Sequence, residues 1–389
     1  MISSHKIMRH LLIYLLITLV ALAVASCRES IDERLQRADR LVYTCPDSSL
    51  ALLRQVDTTL LGSDDGRAYY ALLWTQTAYR TGQFELADDS LAQVAVDYYE
   101  LHNDQNERLA RSLIYLGLHR EVNGHPEEAM ALYQRAEAVA DSTDWRNLAQ
   151  VNYRIGQLMS NANAHNGEDL RHYQKALRYY RQVGDTLQII YSLLATGALL
   201  REQGIGAARS NLEQAFVLAS RRSDSTNCAR SIEYLARGYL KDSIHETAKE
   251  LAVYCVTRYP NTTYSVDAML DAACAYALMG VNDSAQHYLD RAAVHETNDQ
   301  RESMRLFCLK TMAKNKHDVL DYIAYNESRE QLHDSLRSNP VLKRLVDMER
   351  DGSRQASQAV LSNRQALQQR FLMIAAAVLV VIVLAWYVH

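Results

Sequence analysis

Apolar residues follow three patterns along this chain. From Leu11 to Ala25 they form a continuous run. From Phe371 to Val388 they form a second run that carries no charge. Between the two, apolar and polar positions interleave in segments of helix length, separated by short breaker clusters. The breakers are Gly82, Asn123-Gly124-His125-Pro126, Asn166-Gly167, Gly204-Ile205-Gly206 and Val281-Asn282-Asp283. The pattern predicts helix after helix joined by tight turns. The outermost pairs are predicted at Ile31 to Val42 with Leu50 to Val56, and at Arg301 to Asn315 with Asp318 to Leu336. Cys45-Pro46-Asp47-Ser48-Ser49 supplies a turn with capping residues in the first pair.

Small residues recur inside this pattern at a fixed spacing. Gly117 is followed by Ala129, Tyr133 and Ala136. Thr75, Ala87, Leu91 and Val94 repeat the spacing, as do Ala236, Ala248, Ala252 and Cys255, and again Ala273, Ala285, Leu289 and Ala292. Gly156 leads to Tyr173 and Ala176 with one residue more, and Gly197 to Leu212 and Ala215 with one fewer. Two antiparallel helices approach closely only where small residues meet and bulky neighbours fill the hole beside them. The signature resembles the tetratricopeptide repeat (TPR), and Pro260 stands at that family's proline position. The lead residues recur every 37–42 positions, so helices or turns are longer than in the minimal repeat.

The resemblance covers residues 31–338. It implies an all-α fold, a right-handed superhelical TPR-like solenoid of antiparallel helix pairs whose first helices line a groove. Carried onto this chain, the family's groove positions include Tyr69, Tyr79, Arg111, Tyr153, Gln157, Tyr191, Arg201, Arg230, Glu233 and Arg237. Arginine forks suit carboxylates, and tyrosines grip peptides. The expected ligand is an extended, somewhat acidic peptide or a partner helix. Ordinary contacts between repeats are the competing reading of the same residues.

Composition supports a binding role over a chemical one. The 389 residues carry a net charge of −4, which gives no reason to expect nucleic acid. Fourteen glycines and four prolines are too few for a many-stranded fold. Twenty-four tyrosines against four phenylalanines suit partly exposed helix faces. No Gly-rich phosphate loop, His-Glu-x-x-His or Gly-x-Ser-x-Gly motif occurs. His165 and His172, or His287 and His295, can share a helix face, but no carboxylate cluster accompanies them in the sequence, so no metal is expected. No cofactor and no enzyme activity are expected. Cys45, Cys228, Cys255, Cys274 and Cys308 read mostly as small core residues, with a disulfide between two of them as the lesser alternative.

The two ends add a location. Lys6, Arg9 and His10 precede the first apolar run, and Val24-Ala25-Ser26-Cys27 closes it. This resembles a bacterial lipoprotein signal, with residues 1–26 as the leader and Cys27 as the lipidated residue. Residues 371–388 are long enough to span a bilayer, with Trp386 and Tyr387 at the far end. Arg354, Arg364 and Arg370 precede the span and argue for a cytoplasmic near side, while the leader argues for the reverse and is expected to prevail. The expected layout is a repeat domain facing the periplasm at the bacterial cytoplasmic membrane. A juxtamembrane helical stalk over 339–370 and a transmembrane helix over 371–388 follow it.

Tyr325 to Leu336 resembles the closing repeat of membrane-bound TPR signalling regulators, in which a cytoplasmic output domain often follows. None lies before His389, which fits either a shortened chain or a short relative. The expected function is a membrane-anchored TPR interaction scaffold or sensor, the extracytoplasmic half of a signalling protein. The alternative is a periplasmic envelope-assembly or transport accessory lipoprotein.

Overall fold

In the computed structural model, the described residues are 30–102, 104–161, 167–337 and 344–352, with isolated positions between 354 and 373. The predicted leader, Cys27 and nearly all of the 371–388 run lie outside them. No strand occurs among the described residues. They form two compact units, 1–119 and 120–389.

The first unit contains α1 (Ile31–Leu41), α2 (Pro46–Leu53), α3 (Asp64–Arg80), α4 (Asp89–Glu100) and most of α5 (Asn106–Val122). Ser30 caps α1 with a capping box to Glu33, satisfying two backbone donors that the helix leaves free. Leu35, Ala38, Leu53, Val56, Leu61, Tyr69 and Leu73 form the core. One repeat departs from the expected register. A 3-10 turn at Phe84–Leu86 intervenes and Asp88 caps the next helix, so Ala87 stands outside it. The residues buried on α4 are Ala92, Ala95, Val96 and Tyr99, while the expected Val94 is exposed.

The second unit contains α6 (Pro126–Val139), α7 (Trp145–Asn161), α8 (Glu168–Val183), α9 (Thr186–Leu200), α10 (Ile205–Arg221), α11 (Ser225–Lys241), α12 (His245–Arg258), α13 (Thr263–Leu278), α14 (Asn282–Ala292), α15 (Asp299–Asn315) and α16 (Val319–Arg337). Residues 344–352 form a further helix, α17. Asp185, Asp224 and Asn298 cap α9, α11 and α15, each the first helix of a pair, by accepting a backbone N–H three residues on. The expected small residues are buried. Ala236, Ala248, Ala252, Cys255, Ala273 and Ala285 have no solvent exposure. At Gly197 a Cβ would lie 2.5 Å from the Leu212 side chain, and at Gly238 2.5 Å from the Ile205 side chain, so a neighbouring side chain seats directly on the helix backbone at each glycine. Cys228, Cys255, Cys274 and Cys308 are buried free thiols, and Cys45 is an exposed one.

The expected location is overturned. Among the described residues no helix is long and apolar enough to cross a membrane, which contradicts a chain held in the bacterial cytoplasmic membrane with its repeats in the periplasm. α9 shows why: it is uncharged, but its 15 residues reach only about 22 Å against a hydrocarbon core of about 30 Å. Its Ile190, Leu193 and Leu194 are spent on packing within the unit. α17, inside 339–370, packs back against α6 and α8.

Candidate functional site

The two units use their groove-type residues differently. In the first unit these residues close on themselves. Arg111 is 4% exposed and forks onto Asp39 of α1 at 2.8 and 3.2 Å. The Tyr69 hydroxyl donates to the same carboxylate at 2.6 Å, and the Arg108 guanidinium lies 4.0 Å from the Tyr69 ring centre. Burial pushes the Asp39 pKa up, but the charge and hydrogen bonds of Arg111 outweigh it and hold Asp39 below the usual carboxylate range. Tyr79 is buried, with its hydroxyl 2.9 Å from His119 Nδ1. Tyr69, Tyr79 and Arg111 therefore act as internal fastenings in this structure.

In the second unit the first helices α9, α11, α13 and α15 lie side by side. A ladder of charged and aromatic groups crosses them. The guanidinium of Arg201, at the end of α9, sits 5.2 Å from the Tyr234 ring centre on α11. Arg230 sits 5.2 Å from Tyr234 and 5.6 Å from Tyr264 on α13, and its Nε donates to the Tyr234 hydroxyl at 3.1 Å. One turn on, Arg237 lies 2.6 Å from Glu233 and 3.1 Å from Asp271 of α13. Arg301 on α15 forks onto Asp267 at 2.9 and 3.1 Å.

The charges on this ladder are unevenly matched. Glu233 and Asp271 are almost fully buried and share Arg237. Burial pushes the Glu233 carboxyl up to about 8 against the pull of Arg237, and it raises Asp271 as well. Asp271 Oδ2 and Arg201 Nη1 are buried without a hydrogen bond. Arg237 Nη2 and Glu233 Oε1 lie 2.6 Å apart without the alignment of a hydrogen bond. Among the described residues neither Arg201 nor Arg230 forms an ion pair with a carboxylate, and tyrosine rings lie against their guanidinium faces.

The remaining expected residues border the ladder. Tyr153 on α7 is half-buried, with its ring centre 5.3 Å from that of Tyr173. Gln157 Oε1 accepts from Arg154 at 3.0 Å. Tyr191 is half-buried on α9. Of the ten expected groove residues, the structure brings Arg201, Arg230, Glu233 and Arg237 together. Sequence reasoning missed Tyr234 and Asp271. Both stand two positions before a small lead residue, Ala236 and Ala273, and Arg154 holds the same place before Gly156.

A second polar cluster joins Glu168, His172 and Glu349, whose nitrogen and oxygen atoms lie within 4.8 Å of one another. These are carboxylates beside His172 that the sequence did not reveal. Arg171 occupies the space, 2.6 Å from Glu168 and 3.0 Å from Glu349. Arg171 thus bridges the two carboxylates in an ion-pair network.

The fold is that of a tetratricopeptide-like, all-helical repeat protein. No protein-family model matches the sequence, and no curated protein matches it. Solved structures do resemble it. The apo form of the quorum sensor NprR from B. thuringiensis is 11% identical with a TM-score of 0.56, over 83% of this chain and 98% of that one. NprR in complex with its cognate peptide NprX is 13% identical with a TM-score of 0.52, over 85% and 100%. A Rap protein complexed with Competence and Sporulation Factor is 13% identical with a TM-score of 0.54, over 88% and 96%. At these identities the likeness is one of fold.

Proposed function

We propose that this chain is a binding protein, a sensor or scaffold that holds a peptide or an extended segment of a partner protein along α9, α11 and α13. The observation that carries the reading is the pair Arg201 and Arg230. Each lies over a tyrosine ring and has no carboxylate paired with it among the described residues. A preorganised guanidinium loses little freedom when a carboxylate arrives at its edge. Tyr153 and Tyr264 flank the position and offer rings to neighbouring side chains. The partner is therefore a segment bearing acidic side chains or a free C-terminus. The structurally similar NprR was solved with a cognate peptide, and the similar Rap protein with Competence and Sporulation Factor, which agrees with peptide binding on this architecture.

The test is photo-cross-linking in cells from a benzophenone amino acid placed at Tyr264, followed by identification of the captured partner. The Arg201→Ala, Arg230→Ala double variant is expected to lose the capture. Capture of the same partner at undiminished yield by that variant would refute the reading.

A further inference from the structure

The ladder across α9, α11, α13 and α15 holds four arginines, and carboxylates match two of them. Arg237 lies against Glu233 and Asp271, and Arg301 forks onto Asp267. The other two keep their donors. Arg201 makes no hydrogen bond to the protein among the described residues, and its Nη1 is buried. Arg230 uses only Nε, on the Tyr234 hydroxyl at 3.1 Å. The whole Arg201 fork and both terminal nitrogens of Arg230 are left to donate. The Tyr234 hydroxyl accepts from Arg230 and keeps its own hydrogen to give.

The charges show the same imbalance. Burial holds Glu233 near 8, so it keeps its proton at neutral pH. The four arginines then face the carboxylates of Asp267 and Asp271 alone, an excess of two positive charges. The unmatched pair is also close together. Both guanidinium centres lie 5.2 Å from the same Tyr234 ring centre, so they stand no further apart than twice that distance. Arg201 is half-buried, and small rotations of its side chain bring both forks onto one anion.

A single carboxylate is filled by one fork and carries one charge. It would leave the second guanidinium and the second charge unmet. Two separate carboxylates match the charge, but two side chains must then be immobilised at a spacing set by one ring. A phosphoryl group carries about −1.5 to −2 at pH 7 and presents three strong acceptor oxygens, enough for both forks and the hydroxyl. We propose that Arg201, Arg230 and the Tyr234 hydroxyl form a phosphoryl site, through which the bound segment is recognised by a phosphorylated side chain. This rests on the peptide-binding role of α9, α11 and α13 and narrows what that role selects.

Fluorescence anisotropy with the full chain tests it. Four peptide pools share degenerate flanks and differ at the centre: phosphoserine, serine, one glutamate, or two aspartates two positions apart. The phosphoserine pool is expected to bind at least about tenfold more tightly than the glutamate pool, the return on a second charged hydrogen bond. Arg201→Lys and Arg230→Lys keep the charge and lose the fork, and each should remove most of that advantage. Arg209→Ala takes an exposed charge from α10 and should leave the advantage unchanged. Equal binding of the phosphoserine and glutamate pools overturns the proposal while the acidic-segment reading stands. An aspartate pair that matches or exceeds phosphoserine does the same. An undiminished preference in both lysine variants also overturns it. So does competition by inorganic phosphate at the concentration of the phosphoserine pool, because the site would then take the free ion. If no acidic pool binds above the serine pool, the peptide-binding reading falls with it.

Discussion

Replacing Gly197 by alanine probes the contact on which the repeat register depends. A Cβ there would lie 2.5 Å from Leu212 Cδ2 and 2.8 Å from its Cγ. Leu212 has no exposed surface, so it cannot swing into solvent. Either it leaves its rotamer or α9 and α10 separate. Overpacking of this kind costs about 1–3 kcal/mol. Helix propensity returns about 1 kcal/mol for glycine to alanine. The expected net loss is about 1 kcal/mol, read as a shift of the urea midpoint. Leu212→Ala alone should cost about 2–5 kcal/mol through its cavity. In the double variant the added methyl enters that cavity, so the two changes should couple by about 1–2 kcal/mol in the stabilising direction. Gly206→Ala, where a Cβ meets nothing within 4 Å, serves as the unstrained comparison. Stabilisation by Gly197→Ala, or strict additivity with Leu212→Ala, would refute the close-approach argument.

The buried acids make a pH prediction. Glu233, held near 8 in the fold, keeps its proton where the unfolded chain has lost it. Stability should fall as pH rises from about 4.5 to about 8, by on the order of 4 kcal/mol. In Glu233→Gln urea midpoints measured at pH 5 and pH 9 should lie much closer together, and parallel curves for the two proteins would count against the assignment. Asp39→Ala strands the buried Arg111 guanidinium and should cost about 3–5 kcal/mol, visible as faster hydrogen exchange in α1 and α3. The exposed Lys241–Glu202 pair sets the contrast, since Lys241→Ala should cost under about 1 kcal/mol in the same denaturation assay.

The sequence revealed what is periodic and concealed what is not. Gly197 and Ala236 announce the repeat because a small residue recurs where a helix must lie close to its neighbour. The register fails near Thr75, where the Phe84–Leu86 turn delays α4 and moves the buried set to Ala92, Val96 and Tyr99. Arg230, Glu233 and Arg237 were legible through a family offset. Tyr234 and Asp271 use another row of the same helices, and only neighbouring helices decide which row faces which. Tyr69 and Arg111 carried the right chemistry for a groove, yet Asp39, 30 and 72 positions earlier, claims them both. α17 has sparse apolar residues and no sustained period, so nothing local revealed that Leu345 and Glu349 are anchors.

α17 also changes how this fold comes apart. A stack in which each pair touches only its neighbours frays from its ends and unfolds in steps. Here Gln134 is bonded to a residue 214 positions away, and His172 to one 177 positions away. The loop so closed contains α9 to α16. Its entropic cost grows only slowly with length, but it raises the contact order of the unit and should slow its folding. While α17 is seated, the last helix pairs lie between two fixed points and cannot fray independently. With α17 detached they regain a free end, so this one short helix decides whether the stretch melts as a block or pair by pair.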